Sequence, residues 1–286
     1  MNSHFAVVSD LRPGAAVAIH PGIHRVVAPN AGMMTGPGTN TYLLGAARDV
    51  VLDPGPADNA HVAALLAATD GRVKFILVTH THRDHSPAAR LLAAATGARL
   101  IGLAPPADPN HDSTFRPDLE PADRQPLELG DVVMQAIHTP GHASNHVCWL
   151  HPETGVLFTG DHVMQGSTVV IPPPDGNMTA YLQSLEAIQQ LAPQALAPGH
   201  GLLIPDSERA IRRLIRHRLQ REARVLDRLR QLGTATLDEL LPRVYSDVPE
   251  ALHPVARYSL HAHVLKLAAE GRVLTTAAGW RLTGST

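Results

Sequence analysis

From about residue 23 to residue 205 the chain alternates short apolar runs with stretches rich in Ala and Leu. The runs "HRVVAP", "TYLLG", "DVVLD", "VKFILVTH", "ARLIGL", "DVVMQAIH", "HVCWLH", "VLFTGD" and "ALAPGH" favour β-branched residues and end near Gly, Pro or Asp, which predicts strands. "NAHVAALLAATDG" and "SPAARLLAAATG" predict helices that stop at glycine. Strands and helices in this alternation make a multi-stranded α/β domain. Residues 104–126, rich in Pro and Asp, predict a loop, either an insertion near a site or, more simply, a variable surface loop.

After about residue 206 the period lengthens. "SERAIRRLIRHRLQREARVLDRLRQLG" predicts one long amphipathic helix, "TLDELLPRVY" a second after a Thr cap, and "HPVARYSLHAHVLKLAAEG" a third. "RVLTTAAGWRL" predicts two short strands around a turn. Three helices and a hairpin outline a winged helix. The expected domains are therefore residues 1–206, catalytic, and 207–286, a small helical appendage.

Composition narrows the chemistry. A chain of 286 residues with net charge -2 is ample for a core of its own. Cys148 stands alone, so an intrachain disulfide and zinc sites needing several thiolates are excluded. The first residues, "MNSHFAVVSDLRPG", lack a basic and then apolar leader, and no apolar run approaches membrane-spanning length. A cytoplasmic protein with no membrane partner and no obligate protein partner is expected. The anomaly is histidine, present 18 times and clustered.

The densest cluster is "THTHRDHSP", residues 79–87, directly after an apolar run. His80 and His82 are two apart and can splay around one ion. Asp84 and His85 turn back and can serve another. Imidazole nitrogen and carboxylate oxygen suit zinc. Further donors recur in the same setting, at the end of a strand: His142 in "IHTPGH", Asp161 in "FTGD" and His200 in "LAPGH".

These four segments, in this order, resemble the metallo-β-lactamase superfamily. The resemblance implies an αββα sandwich with two divalent metal ions at one edge of its sheets. Zinc is expected first, with manganese or iron as alternatives. On that likeness His80, His82 and His142 hold one ion and Asp84, His85 and His200 the other. Asp161 bridges them with a hydroxide between, and Asp84 and Asp161 are the catalytic carboxylates. Asp53 in "VVLDPGP" would orient a ligand histidine from behind. His138 and His146 read as histidines that support the ligands or are partly buried, rather than as ligands themselves. The other histidines, His111 and His162 among them, read as ordinary surface or packing residues. Two divalent ions, two aspartates and a hydroxide leave about +1, a field that favours an oxygen gaining negative charge. The flavodiiron branch typically carries Glu where this chain has His82, so the likeness points to hydrolysis.

Several stretches narrow the likeness further. "GMMTGPGTNTYLLG", "HTPGHASNH", "GDHVMQGSTVV" and the tail "LPRVYSDVPEALHPVARYSLHAHVLKLAAEGRV" resemble the lactamase-like protein 2 branch, which has a winged-helix appendage. Its animal members are endoribonucleases acting on single strands, so single-stranded RNA is the first expected substrate. Small thioesters of the glyoxalase II type are the alternative, and a nucleic-acid-binding regulator is a third reading. Those nucleases usually carry Asp where this chain has Asn145, which puts a proton-donating pair there in doubt. Residues 208–230 hold nine arginines and three acids, +6 in all, leaving -8 for the rest. Arg209, Arg213, Arg216 and Arg224 fall on one face of the predicted helix. Asn40, Arg213 and Arg216 are the candidate substrate contacts, the arginines for phosphates.

Overall fold

The computed structural model describes residues 8–284. In chain order the elements begin with strands β1 (Val17–His20), β2 (Ile23–Val27), β3 (Asn40–Leu44) and β4 (Val50–Leu52). Helix α1 (Asn59–Ala68), strand β5 (Phe75–Leu77), helix α2 (Ala88–Thr96) and strand β6 (Arg99–Ile101) complete a six-stranded sheet ordered β1-β2-β3-β4-β5-β6. Strands β7 (Pro126–Leu129), β8 (Val132–His138), β9 (Val147–His151) and β10 (Val156–Gly160) follow. With helix α3 (Met178–Leu191) and strand β11 (Ala195–Pro198) they lead to a second sheet ordered β11-β10-β9-β8-β7. The remainder is α4 (Ser207–Leu232), β12 (Thr234–Ala235), α5 (Leu237–Val244), α6 (His253–Ala269), β13 (Val273–Thr276) and β14 (Gly279–Leu282).

The strand period of two divides the first sheet cleanly. Tyr42, Leu44, Val50, Leu52 and Leu77 point to one side, where they meet Met134, Trp149 and Phe158 of the second sheet. Leu43, Val51, Ile76 and Val78 point to the other, against Leu65 of α1 and Leu92 of α2. Both faces are therefore covered, which is why these strands read as continuous apolar runs rather than alternating ones. Trp149 is fully buried, and its indole N–H donates to the Val78 carbonyl across the sandwich at 3.2 Å.

The chain forms two compact units. The first comprises residues up to Thr139, Asn145–Val169 and Ile188–Ala210; the second comprises Pro140–Ser144, Val170–Ala187 and Ile211 onward. The C-terminal elements follow the sequence pattern closely. Val225 and Leu229 of α4, Leu240 and Val244 of α5, and Leu260, Val264 and Leu267 of α6 share one core. Thr236 starts α5 with a capping box: its hydroxyl accepts from the Glu239 amide while Glu239 accepts from the Thr236 amide. Strands β12, β14 and β13 form a three-stranded wing.

Four of these elements escape the sequence pattern. β1 is only four residues long and β12 only two, β7 is opened by a proline, and α3 follows the Pro-rich stretch 172–174. Among the described residues no helix is long and apolar enough to cross a membrane.

Candidate metal centre

The site gathers at strand ends. β4 runs parallel to β5, and β10 parallel to β11, so within each pair the carboxyl ends share one edge. Asp53 follows β4, the segment Thr79–His85 follows β5, Asp161 follows β10 and His200 follows β11. The Val147 amide donates to the Thr79 carbonyl at 2.7 Å, stitching β9 to the histidine loop. Glycine is required where backbone and donors crowd. A Cβ on Gly199 would lie 2.7 Å from Cε1 of His85 and 2.8 Å from Oδ1 of Asp161. Gly160, at φ +45°, would meet the Thr79 hydroxyl at 2.5 Å.

Each imidazole is aimed by a partner behind it. Asp53 accepts from the Thr79 amide, the Thr79 hydroxyl and His85 Nδ1 at 2.7, 2.7 and 2.9 Å. Because the Thr79 proton goes to Asp53, its oxygen accepts from His80 Nδ1 at 3.0 Å. His200 Nδ1 donates to the Gly38 carbonyl at 3.2 Å, and His142 Nδ1 to the Val170 carbonyl at 2.6 Å. In these four rings Nδ1 is used behind the ring, which leaves Nε2 as the atom that can bind a cation. His82 is reversed: its Nδ1 faces His80 Nε2 at 2.9 Å.

Within the first unit two donor groups each fall within 4.8 Å: His80, His85 and Asp161; and Asp84, His85 and His200. The spacing fits an ion better than it fits hydrogen bonds. His200 Nε2 lies 3.3 Å from both Asp84 and Asp161, and His85 Nε2 lies 3.6 and 3.4 Å from the same carboxylates. Both Nε2 atoms are buried without a hydrogen bond of good geometry. Tetrahedral zinc, with arms of about 2.0–2.2 Å, sets neighbouring donors roughly 3.3–3.6 Å apart.

The local field points the same way. Burial opposes charge on His200, yet the Asp161 and Asp84 carboxylates overcome it and push its pKa up to about 10. Burial likewise opposes charge on His85, but Asp84, Asp161 and Asp53 together hold it well above its ordinary range. Burial would raise Asp161, but His200 and His85 outweigh it and keep that carboxyl well below the usual range. A buried pocket that holds imidazoles protonated is one in which a metal cation can compete with those protons.

The other candidates scatter. His146 lies behind the loop, its ring 5.0 Å from that of His80 and its Nδ1 on the Thr139 hydroxyl. His138 turns away, with Nε2 on the Pro121 carbonyl and its amide on Asp123. Asn40 is buried and donates to the Pro198 and Gly201 carbonyls, so it braces the His200 turn. On α4, Arg213 and Arg216 are exposed with no ionic partner among the described residues. Arg224 is paired with Asp247, while Arg218 and Arg221 turn inward over Tyr181 and Tyr245.

Sequence reasoning passed over Thr79, whose hydroxyl links Asp53 to His80, and His111, which packs on the histidine loop from residues 104–126. The signal for Thr79 was its place directly before the first candidate ligand histidine. His111 left none, since nothing local distinguishes it from other loop histidines.

Comparison with known proteins agrees with this geometry. Residues 34–200 match the Metallo-beta-lactamase superfamily model, and residues 236–280 match the Beta-lactamase associated winged helix domain. A Beta-lactamase-like protein 2 homolog of Drosophila melanogaster is 31% identical over 275 residues, 91% of this chain and 92% of the relative. An Atrochrysone carboxyl ACP thioesterase of Aspergillus chevalieri is 31% identical over 93% of this chain and 89% of its own. In structure, a metallo-beta-lactamase family protein of Thermus thermophilus superposes with TM-score 0.77 at 22% identity, covering 92% of this chain and 99% of that one. With both domains matched, in order and with the sandwich fold, this chain belongs to the metallo-beta-lactamase superfamily of hydrolases and carries its associated winged helix domain.

Proposed function

We propose that the chain is a two-metal hydrolase of acyl thioesters, with His80, His82, His142, Asp84, His85, His200 and Asp161 as ligands. When bound, two divalent ions, zinc by donor chemistry, supply an activated water and a positive field toward the oxygen that gains charge. The chain's own residues aim the ligands through Asp53, Thr79, Gly38 and Val170.

The observation that carries the thioester reading is Asn145. Its amide nitrogen donates to the Thr81 hydroxyl at 2.8 Å and to the Ala104 and Leu103 carbonyls at 3.2 and 3.4 Å. An amide so engaged has no titratable proton to give. A departing thiolate, with a thiol pKa of about 8.5, needs none. A ribose alkoxide is far more basic and leaves well only with an acid beside it. The likeness to relatives named as carboxyl ACP thioesterases supports the same reading.

A second reading, cleavage of single-stranded RNA, is favoured by the exposed Arg213 and Arg216. Such cations suit phosphates, and binding through them weakens as salt rises, with a slope of about -0.7 per phosphate neutralised. The regulator reading fares less well. The cations of α6 and its end are committed to acids: Arg257 to Asp238, Lys266 to Glu222 and Glu270, and Arg272 to the same two glutamates.

The test incubates metal-loaded protein with an S-acyl pantetheine, a single-stranded RNA and a cephalosporin reporter side by side. Thiol release without RNA cleavage is expected. RNA cleavage that falls steeply with salt, weakens in the Arg213→Ala, Arg216→Ala double variant and comes with no thioester turnover overturns the thioester reading.

A further inference from the structure

We infer that His111 is a positioning residue that holds His82 in place for the metal. The inference rests on the metal-centre reading above and concerns the one ligand ring that is turned the other way.

Four of the ligand rings are fixed through Nδ1 by a carboxylate, a hydroxyl or a carbonyl behind them. His82 turns Nδ1 toward His80, so it is not held through Nδ1 as the other four are. It is also more exposed than His80. Packing that narrows the rotamers of a partly exposed imidazole favours binding, since each rotamer lost on binding lowers affinity.

His111 supplies the restraint from the loop after β6. Its ring lies 4.5 Å from the His82 ring, inclined at 49°. The backbones of the two residues form an antiparallel bridge, and the Asp112 amide donates to the Thr81 carbonyl at 2.6 Å. Two further bonds tie the same loops together: Arg83 Nη2 donates to the Pro109 carbonyl at 2.9 Å, and the Ser86 hydroxyl to Asp112 at 3.1 Å.

The His111 ring is itself oriented by a hydrogen-bond chain. The Asn145 amide nitrogen is identified by the two main-chain carbonyls it faces, which only accept. It therefore donates to Thr81 Oγ1, which in turn shares a hydrogen bond with His111 Nδ1 at 2.7 Å. Thr81 and Asn145 are buried and His111 is 3% exposed, so water competes little for these bonds. Asn145, whose carboxylate counterpart could not donate, thus acts through Thr81 and His111 on the ligand His82. A loop with the composition of ordinary surface becomes part of the metal centre's support.

The test is stepwise metal affinity in the full chain, by chelator competition with Zn(II), together with the count of ions retained. Two variants are compared with wild type. His111→Ala removes both the ring and its hydrogen-bonding group. His111→Asn keeps a hydrogen-bonding group near the Nδ1 position for the Thr81 hydroxyl and so controls for folding, checked by the melting of the metal-free protein. Both variants are expected to bind one ion about 10- to 100-fold more weakly, the range for residues that orient a ligand, while the other ion binds as in wild type. Wild-type affinities for both ions in either variant overturn the inference, as does equal weakening of both ions, which would mean general loosening. A wild-type protein that takes up fewer than two ions overturns the two-metal reading instead, a result visible before any variant is made.

Discussion

Asp53 accepts a hydrogen bond from His85 Nδ1 at 2.9 Å, and both side chains are buried. The aspartate reaches this position with φ at +49°, a conformation that costs energy for any residue with a Cβ and that Asn and Asp tolerate best. Its carboxylate also caps the Thr79 amide and hydroxyl, so one side chain orders both the start and the end of the histidine loop.

Asp53→Asn should therefore keep the fold and weaken the centre. Asn accepts the same φ, yet its amide nitrogen cannot accept from both Thr79 and His85. Metal affinity is expected to fall about 10- to 100-fold, read by chelator competition, with little change in the melting of the metal-free protein. Affinity equal to wild type would mean that His85 is held by packing alone.

Asp161 lies 3.4 Å from the Nε2 of His85 and 3.3 Å from that of His200. Replacing its charge by an amide removes a counter-charge that the proposed pair of cations, roughly 3.5–4 Å apart, would need. Asp161→Asn is expected to lose at least one of two ions in elemental analysis and to lower turnover by more than about 100-fold. Arg213→Ala, on exposed α4, serves as the control and should retain both ions.

The C-terminal unit should loosen in acid for a reason unrelated to metal. Burial, then Arg218 and Arg221, push the pKa of His217 down to about 4. Burial, then Arg218 and Lys266, hold His263 well below its ordinary range, and both its ring nitrogens are buried without a hydrogen-bond partner. The unfolded chain takes up these protons near about pH 6.5 and the folded chain does not. Stability is thus level in this respect above about pH 6.5 and falls as pH drops below it. Hydrogen exchange at α4 and α6 amides should quicken between about pH 7 and pH 5. His263→Leu, which removes one such group, should flatten that dependence and cost little at about pH 8. Equal acceleration in the variant would place the acid sensitivity elsewhere.

Thr236→Ala tests the winged helix separately from the chemistry. It deletes a hydroxyl that accepts from the Glu239 amide and the reciprocal bond it organises. The loss should be about 1 kcal/mol of local stability, seen as faster exchange in α5, with metal content unchanged.

By itself the sequence determined whatever depends on neighbours along the chain. Helices α4, α5 and α6 and the β13–β14 hairpin were legible because apolar period, the Thr236 cap and the turn at Ala277–Ala278 act locally. The histidine loop was legible because four of its donors lie within six residues and must share a small volume. Only the tertiary structure decided which way long or distant side chains turn. Arg218 and Arg221, polar on any helical wheel, point inward because Tyr181, Tyr245 and Asp247 offer them partners. Asn40, a candidate substrate contact, braces the His200 turn across 158 residues of chain. His111 joins the histidine loop across 30 residues because a backbone bridge brings its loop there. Contacts at such separations depend on strand order and sheet packing, which no local pattern encodes.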